Sequence, residues 1–147
     1  MRHILSRKRA CALIAASLFA MPLSAWSVDH VVNVGQNPAN GQPGNFFNPT
    51  TVNATVGDTI TFNNVGASPG FHNVRSDGFF TFRCANGCDG AGGDGSPSST
   101  NWTSTVTVSA AGSEVFYCEI HGGPNGTGMA GTLNVTLPVD LQSFEVD

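Results

Sequence analysis

Between Val28 and Leu137 the chain never keeps a helical period. Val, Thr, Ile and Phe instead recur in short alternating runs broken by Gly, Asn, Pro and Asp, a pattern that restricts the fold to strands joined by tight turns. The predicted strands are Val31 to Val34, Thr50 to Thr55, Thr59 to Asn63, Phe79 to Phe82, Thr103 to Val108, Glu114 to Cys118 and Gly131 to Leu137. In Thr103 to Val108, Ser104, Val106 and Val108 share one face and the threonines the other, as a half-buried antiparallel strand requires. Val56-Gly57-Asp58-Thr59 reads as a turn in which Gly57 supplies a positive φ. About seven to eight strands at this spacing imply an all-β sandwich or barrel. Gly35 to Asn45 and the glycine-rich Ala85 to Asn101 read as loops.

Ahead of the strands, Arg2, Arg7, Lys8 and Arg9 precede an apolar run from Ala10 to Leu23. The run falls short of the roughly 20 residues that span a bilayer, and its charged start fits a cleavable export signal over residues 1–27. Small residues at Ala25 and Ser27 place the expected cut before Val28. Residues 28–147 then form a single domain, long enough to bury about two thirds of its unfolded surface. They end in a short acidic tail, residues 138–147. The expected location is periplasmic or secreted, with no membrane insertion after cleavage.

Signal removal leaves Arg75 and Arg83 against ten carboxylates, a net charge of −8. Such a surface repels nucleic acid and anionic lipid, which need clustered Lys and Arg to replace their counterions. It suits a protein partner with a positively charged docking patch, and a monomer is expected.

The chemistry concentrates near the C-terminus. Tyr117-Cys118-Glu119-Ile120-His121 offers a thiol and an imidazole, and Gly128-Met129-Ala130-Gly131 a thioether; a second imidazole lies in Phe71-His72-Asn73-Val74. Each alone has an ordinary reading: His72 as a core histidine, Met129 as core filler, Cys118 as a buried thiol or half of a disulfide. Together, soft sulfur ligands and two imidazoles suit copper. The C-x2-H spacing puts a thiolate at a strand end and an imidazole in the following turn, so both can reach one ion. Met129 returns on the next strand, and His72 follows the Ser68-Pro69-Gly70 turn at another strand end.

On these residues, with Val56-Gly57-Asp58-Thr59, the chain resembles small blue-copper proteins of the cupredoxin family, in the group of plastocyanin, amicyanin and pseudoazurin. The resemblance covers about Phe46 to Leu137. It implies a cupredoxin-like Greek-key β-sandwich with a copper site at one pole. It further implies one type 1 copper ion held by His72, Cys118 and His121 in the equatorial plane, with Met129 as the long axial ligand. Asn73 would tie the ligand-bearing loops together. Seven residues separate His121 from Met129, more than plastocyanins carry in this loop. The implied function is single-electron transport between redox partners, with His121 as the electron port, set among small residues that let a partner approach, and no enzymatic activity. The alternative is a copper-binding or copper-delivery protein that does not cycle its ion, although one methionine and three histidines after residue 27 are few for transient copper binding.

Three cysteines remain after the signal, an odd number. Cys84 and Cys88 flank Ala85-Asn86-Gly87, flexible enough for a local disulfide, which export favours and which leaves Cys118 free. Competing arrangements are a zinc site at Cys84-x3-Cys88, which lacks two further ligands, two reduced thiols, or a bridge to Cys118. Asp89 to Gly95 resembles a calcium loop in composition but not in acidic spacing.

Overall fold

Alternation carries through into three dimensions. The computed structural model describes residues 26–37, 39–66 and 69–139; the expected export signal up to residue 25 and the expected acidic tail from residue 140 lie outside them. Ten strands follow in order: β1 (Asp29–Gln36), β2 (Pro43–Asn48), β3 (Thr51–Thr55), β4 (Thr59–Asn64), β5 (Val74–Ser76), β6 (Phe82–Ala85), β7 (Gly87–Cys88), β8 (Trp102–Thr107), β9 (Gly112–Gly122) and β10 (Gly128–Thr136). They form two sheets, ordered β2-β1-β4-β8 and β3-β10-β9-β5-β6-β7. The described residues are all-β, a two-sheet sandwich. Among the described residues no helix is long and apolar enough to cross a membrane.

Each sheet turns one face to the core. In β8, Trp102, Ser104 and Val106 are buried while the intervening threonines are exposed; in β3, Val52 and Ala54 point inward. Phe116 of β9 is the aromatic centre, with Phe47 at 5.0 Å and Phe62 at 5.7 Å, both edge-to-face, geometries that favour the ring quadrupoles. Phe116 and Cys118 are both buried, two residues apart on one strand. Core packing therefore runs directly into the thiol.

The structure corrects several strand boundaries. The predicted strand at Phe79 to Phe82 starts at Phe82 instead, because the preceding residues bend and the Phe80 amide donates to Glu114 Oε2 rather than to a neighbouring strand. Phe79 and Phe80 still pack on the core, which is the signal their hydrophobicity carried. The expected loop Gly35 to Asn45 is shorter, since β1 runs to Gln36 and pairs there with Pro43 of β2. Pro43-Gly44-Asn45 hides the start of a strand whose Phe47 is wholly buried. The long loop after Ala85 contains β7 and isolated bridges Asn86 to Asp94 and His72 to Ser98. The short β5 and β7 raise the strand number above the seven or eight expected.

The turn at Val56-Gly57-Asp58 closes the pole where β4 begins. Gly57 has φ +101°, in the left-handed region that glycine tolerates. Asp58 gathers three donors: the Val28 amide at 2.9 Å, the Thr55 amide at 2.9 Å and His30 Nε2 at 3.0 Å. The His30 hydrogen bond, then the Val28 amide, hold its carboxyl below the usual value of 3.8 despite burial. Asp58→Ala leaves these donors unpaired and is expected to cost about 1–3 kcal/mol in urea unfolding at neutral pH. Because the folded pKa is depressed, this contribution is present above pH 3.8 and lost as pH falls through the folded value. The gap between wild type and variant should therefore close in strong acid.

Candidate metal centre

A break in strand register builds the opposite pole. Along β9 and β10, Ala130 pairs with Tyr117, yet the next pair is Gly128 with Gly122. Cys118, Glu119, Ile120 and His121 therefore stand opposite the single residue Met129. A bulge of this kind bends its strand and re-aims side chains. β5 enters alongside, pairing Arg75 with Tyr117 and Ser76 with Phe116, which brings Asn73 level with Glu119 and His72 beyond it.

Three donor atoms converge there. His72 Nδ1 and His121 Nδ1 are 3.2 Å apart, and Cys118 Sγ lies 3.8 Å from the first and 3.6 Å from the second. The circle through three points so spaced has a radius of roughly 2.1 Å, the length of metal–imidazole bonds and close to that of metal–thiolate bonds. Among the described residues this is the only group of three or more His, Cys, Asp or Glu side chains close enough to hold an ion. Cys118, His72 and Met129 are buried and His121 is partly exposed. Met129 stands across the bulge from these three, and the four side chains group as a site that could hold a copper ion.

The surrounding backbone is shaped around these side chains. A Cβ on Gly70 would collide with His72 Nε2, so the imidazole is walled in by backbone. Burial, and then the neighbouring His121, push the His72 pKa down to about 4. At neutral pH the ring is uncharged and its nitrogen is free to bind a metal without first losing a proton.

Asn73 is wholly buried and joins three segments. Its Oδ1 accepts the Glu119 amide at 3.0 Å, and its Nδ2 donates to Glu119 Oε2 at 2.6 Å and to the Gly95 carbonyl at 2.9 Å. Cys84 and Cys88 are joined in a disulfide, which removes the zinc alternative and leaves Cys118 as the free cysteine among the described residues. The carboxylates of the acidic loop are taken by protein donors: Asp89 by Arg83 and the Gly95 amide, Asp94 by the Ser96 amide.

The long segment after His121 is closed at its neck. Gly122 pairs with Gly128, the Gly123 amide donates to Thr127 O, the Gly126 amide donates to Gly123 O, and Thr127 Oγ1 bonds Asn125 Oδ1. Gly126 lies against Val115, so the turn folds back along the sheet. Gly128 has φ +66°, and a Cβ there would strike the His121 carbonyl, which explains the glycine before Met129.

Sequence reasoning missed the ion cluster at Glu119. Arg75 Nη1 donates to its Oε1 at 2.8 Å and Arg83 Nε to its Oε2 at 2.8 Å. Arg75 also binds Asp77, at 2.7 and 2.9 Å, and Asp77 accepts the Tyr117 hydroxyl at 2.6 Å. Burial raises the Glu119 pKa, but the hydrogen bonds from Arg75, Arg83 and Asn73 outweigh it and hold the carboxyl low. The available signal was that only two cations follow residue 27, both near carboxylates in sequence.

No protein-family model matches the sequence, and no characterised relative does. The structure is similar to native pseudoazurin from Hyphomicrobium denitrificans, at 22% identity and TM-score 0.48 over 74% of this chain and 75% of that one. It is similar to a Sinorhizobium pseudoazurin at 27% identity and TM-score 0.46, over 75% of each chain. An oxidised amicyanin variant matches at 18% identity and TM-score 0.45, over 73% of this chain and 81% of that one. These similar structures are cupredoxins. The overlaps are partial, and the functional reading comes from the four side chains themselves.

Two expectations follow from this geometry. In the metal-free protein, an unfolded His72 takes up its proton near pH 6.5 while the buried ring resists until about 4. Stability should therefore fall as pH drops from 6.5 towards 4, and fall less in His72→Gln, as read from urea midpoints. Replacing residues 123–127 by an Asn-Gly turn, which suits a two-residue hairpin, should leave the copper absorption spectrum unchanged, since the Gly122–Gly128 pair isolates the turn from Met129.

Proposed function

We propose that the chain is an exported type 1 copper protein that carries single electrons between redox partners and catalyses no reaction of its own. His72, Cys118 and His121 are its equatorial ligands, Met129 its weak axial ligand, and Asn73 the group that ties the ligand segments together. The observation that carries this reading is the convergence of two Nδ1 atoms and one Sγ at 3.2 to 3.8 Å on the register break opposite Met129. A thiolate with two imidazoles and a long thioether suits copper over other ions. The ion would supply one-electron exchange between its two oxidation states.

The protein's own residues fit that task. Packing and hydrogen bonding hold the donors in one arrangement, which keeps reorganisation small. His121 is the partly exposed ligand and so the port through which an electron enters or leaves. Phe71 and Ile120, each next to a histidine in sequence, are about half exposed. They add to the small residues expected around the port and offer an apolar contact for a partner. Both arginines after residue 27 are held in ion pairs, so unpaired surface charge is acidic and favours a positively charged docking patch. Cleavage before Val28, a periplasmic or secreted location and a monomeric state belong to the same proposal.

Residues 28–147 loaded with Cu(II) are expected to show an intense visible thiolate band and small copper hyperfine splitting in EPR, both lost in Cys118→Ser. His121→Gly should perturb the spectrum and slow electron self-exchange. A colourless wild type with ordinary hyperfine splitting would reject the type 1 reading in favour of copper delivery without redox cycling.

A further inference from the structure

Arg75 and Arg83 are direct cross-strand neighbours on β5 and β6, an arrangement of like charges that is unfavourable by itself. Glu119 bridges them, one carboxylate oxygen to each guanidinium. Asp77 and Asp89 take the outer sides, at 2.7 and 3.0 Å. Glu119 directly follows Cys118, and its side chain is 21% exposed. Its backbone amide and its carboxylate are both bonded to Asn73, the residue before which His72 stands. The cluster thus holds three acidic and two basic groups in fixed positions around the peptide that carries the thiol.

We infer that the Arg75–Glu119–Arg83 cluster sets the reduction potential of the centre, with Glu119 as a positioning residue that also fixes the balance of charge beside Cys118. The inference rests on the copper reading above. Reduction lowers the charge of the centre by one, so fixed negative charge nearby favours the oxidised state and fixed positive charge the reduced state. Groups outside the ligand shell act on a metal through such charge and through the orientation of its ligands. Glu119→Gln removes a negative charge and leaves two carboxylates, Asp77 and Asp89, against the two arginines. Arg83→Gln removes a positive charge and leaves Glu119 and Asp89 undercompensated. The two variants therefore act with opposite sign.

The test is the reduction potential of copper-loaded residues 28–147, wild type beside Glu119→Gln, Glu119→Asp and Arg83→Gln, at low and high salt, with circular dichroism to check folding. The expected result is a higher potential in Glu119→Gln, a lower one in Arg83→Gln, and a value near wild type in Glu119→Asp, which keeps the charge. Both shifts should shrink at high salt, because the groups are partly exposed. If Glu119→Gln does not fold, Arg83→Gln alone decides, by a lowered or an unlowered potential. Shifts of the same sign, or unchanged potentials with only a loss of stability, would overturn the inference while the intense visible band left the copper reading intact. Loss of that band in the wild type would remove the copper reading and the inference with it.

Discussion

Four residues of one strand facing a single residue of the next is the constraint on which the site depends. The register pairs Tyr117–Ala130 and Gly122–Gly128 fix both ends of this mismatch. The thiol and His121 must then lie at the start and finish of a short bulge, with Met129 across from them. Neither end can slide, because a one-residue slip would turn Phe116 and Leu133, which are wholly or almost wholly buried, towards solvent. The core therefore sets the register, and the register sets the spacing of the donors. His72 reaches the same point through β5, whose pairing with β9 extends the ladder towards Asn73 and Glu119.

The two poles of the sandwich solve different problems with similar means. At one, the Asp58 carboxylate satisfies the backbone donors of Val28 and Thr55 and a histidine ring, and every partner is protein. At the other, two imidazoles and a thiol are turned towards each other, an arrangement that offers an ion lone pairs and offers the protein little. Burial of His72 keeps that ring neutral, and Gly70 lets the backbone close behind it. The groups that hold the ligands, Asn73 above all, make the hydrogen bonds the ligands themselves do not.

Much of this was legible in the sequence. Period-two alternation marked β3, β4, β8 and the core of β9 and β10, because residues facing a packed interior leave that trace whatever their partners. The residues now brought together, His72, Cys118, His121 and Met129, were recognisable because their chemistry is rare and their spacing short. β5 and β7 were not legible: at three and two residues they are too short for a period to show. β2 was hidden by Pro43 and Gly44, which end strands more often than they begin them. The Glu119 cluster was invisible for a different reason. Glu119 lies 44 and 36 residues from Arg75 and Arg83 and meets them only through cross-strand register, which no local pattern encodes.

The long turn after His121 separates chain length from site geometry. A longer connection costs little in closure entropy, and it disturbs a site only if the extra residues take part in fixing the ligands. Here they do not: the Gly122–Gly128 pair closes the ladder before the turn begins, and the bonds from Gly123 and Gly126 are internal to it. Gly128 makes this closure feasible, since only a residue without a Cβ fits against the His121 carbonyl at φ +66°. The turn is thus free to vary in sequence and length as a surface feature, while the position of Met129 answers to β10 and to the buried residues that follow it.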